Sequence, residues 1–251
     1  MSGRTIQTAH ERGMMFRNYL TNVQTELRAG IAEHQATVGR RMIPLSIGLS
    51  VLVAVYIVIA IFLIPPNESR DFNFVNERGA ITALSAMFLA MACGFSCASF
   101  LISVGLPRAV RCFWLIVSVA LAFLVLDELL EFHERIGDRL DRIDLLGWTS
   151  SGMIRGWNDV IVILYGVVAL PLGLFILPTM ARFPSFVKLI CIAFSCYVVH
   201  TTIDTLVQPP TTPSVVCEES AKLYCSLFIA LACLSGLLVR ATRPSNPRPS
   251  S

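Results

Sequence analysis

Six apolar runs, each about as long as a bilayer is thick, constrain this 251-residue chain more than any other feature. They fall near Ile43–Ile64, Ala80–Leu106, Val110–Leu130, Asp159–Leu177, Phe186–Val207 and Glu219–Val239, at 19–27 residues each. A helix rising ~1.5 Å per residue needs about 20 residues to cross ~30 Å of hydrocarbon. In lipid every backbone polar group must be satisfied within the segment, so runs of this kind predict helices. The expected fold is all-α: a polytopic membrane protein with six transmembrane helices in one bundle spanning 43–240. The hydrophobic fraction of 55% fits this reading, because the excess is concentrated in the runs.

The flanks are polar. Residues 1–42 contain six arginines, and Phe16, Leu20, Val23, Leu27 and Ile31 recur at helical spacing. This predicts an amphipathic helix on the cytoplasmic surface, and the long polar lead before the first run argues against a secretory signal. The tail 241–251 is short, basic and rich in proline and serine, so disorder is expected there.

Charge orients the bundle. With both termini placed inside, the inner segments 1–42, 105–111, 178–188 and 240–251 hold 13 of the 20 Lys and Arg. Of the 17 acids, only Glu11, Glu26 and Glu33 fall on that side. The positive-inside rule therefore predicts an N-in, C-in protein, and a bacterial inner membrane is the expected location. The eight cysteines lie mostly inside apolar runs without metal-site spacing, and Cys217 is expected in an outer loop without a disulfide partner.

The third run ends in "FLVLDELLEFHERIGDRLDRID" (Phe123–Asp144). Read as one helix, it places Asp127, Glu131, Glu134 and Asp138 on one stripe. Asp127 and Glu128 stand near the C-terminal end of a span, where the helix dipole repels anions and insertion of a carboxylate is unfavourable. Farther on, Glu134, Asp138, Asp141 and Asp144 alternate with Arg135, Arg139 and Arg142, as on a solvated, self-paired helix.

Three other run ends lie in the same outer layer. Asp159 opens the fourth span, His200 and Asp204 lie four apart in the fifth, and Glu218 and Glu219 open the sixth. Lys222 is expected to pair with Glu218 one turn away. Tyr165 and the glycines of the fourth span read as packing. Eight acids thus face few fixed cations, which calls for held protons or a bound cation.

The candidate site residues are Asp127, Glu128, His133, Glu134, Asp159, His200, Asp204 and Glu218. Imidazoles with carboxylates form a plausible ligand set for a divalent metal ion, although no metal-site motif is present. A bound metal would suit a membrane-embedded hydrolase or oxidoreductase working on a lipid or small molecule from the outer side. The alternatives are a proton- or cation-responsive sensor or transport component, and an accessory subunit of a membrane-protein complex. Nucleotide and nucleic-acid signatures are lacking.

Overall fold

The computed structural model describes residues 15, 18–19, 21–25, 33–63, 79–144, 147–148, 150, 156–207 and 211–241. Its elements are α1 (Glu33–Leu63), α2 (Ala80–Leu101), α3 (Arg108–Leu130), α4 (Phe132–Arg142), α5 (Trp157–Met180), α6 (Pro184–Leu206) and α7 (Thr212–Ala241). All except α4 are long and apolar enough to cross a membrane. The chain is a multi-pass membrane protein.

Helix ends differ from the apolar runs where polar residues continue a helix. α1 begins ten residues before Ile43 and carries Arg40, Arg41 and Pro44 within it. α7 begins at Thr212, so Cys217 is an exposed helical residue rather than a loop residue. α2 stops at Leu101, and a turn through Gly105, at φ 85°, leads into α3. Leu27 and Ile31, Phe16 and Leu20, and the tail beyond Ala241, lie outside the described residues. Residues 21–25 are helical, Val23 is buried, and the Tyr19 hydroxyl donates to the Leu174 carbonyl of α5.

α7 is the centre of the bundle and packs against α6, α2 and α1. It runs parallel to α2, as the pairs Ser85–Ser226, Ser96–Cys233 and Ile102–Arg240 show. Small residues let the two backbones approach: Ala92, Ser96 and Ser99 on α2, and Ala230, Ala232 and Ser235 on α7, are all buried. The Ser85 and Ser226 hydroxyls lie 2.8 Å apart, which satisfies polar groups that lipid would leave orphaned. By contrast α1 and α5 expose runs of large apolar side chains, including Leu52, Val55 and Phe62, and Val167, Val168 and Phe175, as lipid-facing helices do.

The interior changes character along the bundle. Near the basic helix ends, Phe113, Trp114, Phe183 and Phe186 form a cluster of edge-to-face pairs with one stacked pair, Phe113 and Phe183, at centroid distances of 4.7–6.3 Å. Trp114 lies directly against Gly236 of α7, where a side chain would not fit. At the opposite end the interior is polar, and α4 closes it.

Candidate functional site

The predicted continuous helix from Phe123 to Asp144 is broken. Glu131 adopts a left-handed conformation, φ 54° and ψ 43°, between α3 and α4. A non-glycine residue there is disfavoured by ~1–2 kcal/mol, so something must hold it. Asp127 does so. Its Oδ1 accepts the backbone N–H of His133 at 3.0 Å, and its Oδ2 lies 3.0 Å from His133 Nδ1. The last turn of α3 thereby supplies the cap that Glu131, the residue before α4, lacks.

The acidic stripe expected along one helix is therefore not one face. Asp127 is buried, whereas Asp138 on α4 is exposed. Nor is α4 a free solvated rod. Its Gly137 abuts the backbone of Asn158 on α5, where a Cβ would lie 2.5 Å from the amide nitrogen. Asp141 accepts the backbone N–H of Trp157, the first residue of α5, through both oxygens at 3.3 and 3.4 Å. An acid read as part of a self-paired run thus caps the next membrane helix.

His133 Nε2 stands 3.8 Å from Glu134 Oε1. Tyr165, taken for packing, crosses edge-on to Phe123 and stands within electrostatic range of the Asp127 carboxylate. Asp159 is buried in the first turn of α5, where the positive end of the helix dipole favours a carboxylate. Arg135 lies on the rim, 3.9 Å from Glu131.

A second group joins α3, α6 and α7. Lys222, expected to pair within its own helix, also reaches across to α3. Its Nζ lies 3.5 Å from Glu128 Oε1 on α3 and 3.3 Å from Glu219 Oε2 on its own helix. Glu218 is 3.9 Å from His200 Nδ1. His200 lies within electrostatic range of Lys222, Asp204 and His133, so the two groups face one another in one layer. The side chains of His200 and Glu218 are 16% and 18% exposed, which places them inside the bundle rather than toward lipid.

All eight predicted site residues thus lie at one end of the bundle, on α3 to α7. Among the contacts that join them are Asp127 with His133, His200 with Glu218, and Lys222 with Glu128. The donor types suit a divalent metal, and among the described residues no group of three His, Cys, Asp or Glu side chains is drawn close enough to hold one. Imidazole–carboxylate pairs of this kind can take up, hold and pass protons. Lys222 and Tyr165 were the residues hardest to place from sequence, because their partners lie on helices distant in the chain.

Searches of curated proteins and of solved structures gave no match. A family model described as "Domain of unknown function (DUF8692)" matches residues 46–236, which enclose the whole cluster, so the chain belongs to that family.

Proposed function

We propose that this protein is a proton- or cation-responsive component of a bacterial inner membrane, with the acidic end of its bundle facing outward and both termini in the cytoplasm. The distribution of Lys and Arg supports the orientation. The observation that carries the functional reading is the buried Asp127 holding His133 through both backbone and ring. A buried carboxylate fixes the imidazole's orientation and stabilises its charged form, and the same carboxylate fixes the α3–α4 break. Protonation of His133 therefore acts where two helices are joined. His200 with Glu218, facing the Lys222 bridge, extends the responsive layer to α6 and α7.

Histidine-selective nuclear magnetic resonance of the protein in lipid nanodiscs tests this. His133 should titrate, and Asp127→Asn should move its midpoint to lower pH, because the anion 3.0 Å away favours the imidazolium. A His133 signal that ignores pH, or ignores Asp127→Asn, would overturn the reading. A divalent-metal cofactor is the second reading, favoured by the gathering of carboxylates and imidazoles. Stoichiometric metal in the purified protein, lost in both His200→Ala and Asp204→Ala, would replace the first reading with a metal-dependent hydrolase or oxidoreductase.

A further inference from the structure

A wide groove lies away from the acidic cluster. It encloses about 950 Å³ between α1, α6 and α7 and begins near the basic residues of α1 and α6. Arg40 and Lys188 line it where Gly39 of α1 meets Ser185 of α6. Beyond them the walls become apolar: Ile43, Ile47, Val51, Leu189 and Phe228. The groove continues along α1 to Ala54.

Three properties specify an occupant. The first is length. From Arg40 to Ala54 the helix rises ~21 Å at ~1.5 Å per residue, which equals half of a ~40–45 Å bilayer with its headgroups. The groove therefore spans one leaflet. The second is charge. Two cations stand at the headgroup level, and they flank the start of α6, whose residues Pro184 and Ser185 line the groove. That helix start has no side-chain cap, so its N–H groups and dipole favour an anion. The third is a hydroxyl. Ser46 Oγ is buried in the groove wall without a hydrogen-bond partner among the described residues. It lies six residues past Arg40, or ~9 Å deeper, at the level of the ester carbonyls below a phosphate.

We infer that this groove binds one anionic glycerophospholipid of the leaflet on the basic side. Its phosphate lies between Arg40, Lys188 and the start of α6, Ser46 donates to an ester carbonyl, and an acyl chain runs toward Ala54. Nothing in this site belongs to the carboxylate–histidine layer, so the lipid is a separate ligand. Tyr224, which lines the groove and donates its hydroxyl to the Ser50 carbonyl at 3.0 Å, ties its floor to α7.

Native mass spectrometry of the full-length protein, delipidated in detergent and then offered equal phosphatidylglycerol and phosphatidylcholine of matched chains, tests the assignment. Phosphatidylglycerol should bind preferentially with one dominant site. Each cation removed should weaken it by about fivefold, so Arg40→Ala with Lys188→Ala should lose about 25-fold. Both side chains are exposed, so the substitutions spare the packing. Ala54→Trp, which blocks the apolar stretch from an exposed position, should lower occupancy by both lipids while leaving the helical content unchanged. Equal binding of the two lipids by the wild type, or undiminished phosphatidylglycerol binding by the double variant, would overturn the assignment.

Discussion

Lys222→Met removes the cation that ties α3 to α7 at the polar end of the bundle. Its ammonium lies 3.5 Å from Glu128 and 3.3 Å from Glu219, with side-chain exposures of 20%, 14% and 9% in that order. At an effective dielectric constant of ~20, each contact is worth about 5 kcal/mol of gross Coulomb attraction. Most of that offsets desolvation, and removing one partner of a buried pair typically destabilises by ~3–5 kcal/mol, because the other charge is stranded. Residual exposure favours the lower end, about 3 kcal/mol. For a chain of this size that corresponds to a fall in Tm of roughly 6–12 °C. Glu128→Gln alone should cost less, because Lys222 keeps Glu219. The combination of Lys222→Met with Glu128→Gln should recover ~1–2 kcal/mol relative to Lys222→Met, because one stranded anion is gone. Thermal unfolding in detergent, followed through reactivity of the buried Cys233 thiol, reads all three variants. A Tm for Lys222→Met within a degree of the wild type would refute the ionic tie, as would additive losses in the double variant.

Gly236→Ala should destabilise by ~1–3 kcal/mol, because the new methyl meets the Trp114 ring; adding Trp114→Phe should relieve part of that loss in the same thermal assay. Asp141→Ala should cost ~0.5–2 kcal/mol by uncapping α5, and amide hydrogen exchange should rise first at Trp157 and the residues after it. If exchange is unchanged there, the cap from α4 does not stabilise the α5 terminus.

The separation of charge along the bundle suggests a division of labour. The aromatic cluster around Trp114 packs the basic end through ring contacts, whereas the acidic end depends on pairs whose strength changes with protonation. On the proposed reading, a change in proton or cation occupancy would act on α4 and on the α3–α7 tie before it reached the apolar end.

The chain's own chemistry determined that there are six crossing helices and which ends carry basic or acidic residues. Both follow from transfer free energies and connection lengths, and those act residue by residue along the sequence. The same reasoning placed Asp127, His133, Asp159, His200 and Glu218 in one layer, because alternating spans return to the same side. What it missed depended on neighbours distant in sequence. Periodicity carried the helix through Glu131, but the Asp127 carboxylate captures the His133 N–H and stabilises a break that the local pattern does not encode. Spacing joined Lys222 to Glu218, yet Glu128 on α3 offers a contact that only the packing of the bundle brings within 3.5 Å. Asp141 read as a surface acid until α4 folded back against α5 and set it at the open end of that helix. Local preferences decide where helices form; which buried charges meet is decided by the distances between helices, because electrostatic and hydrogen-bond energies fall within a few ångströms.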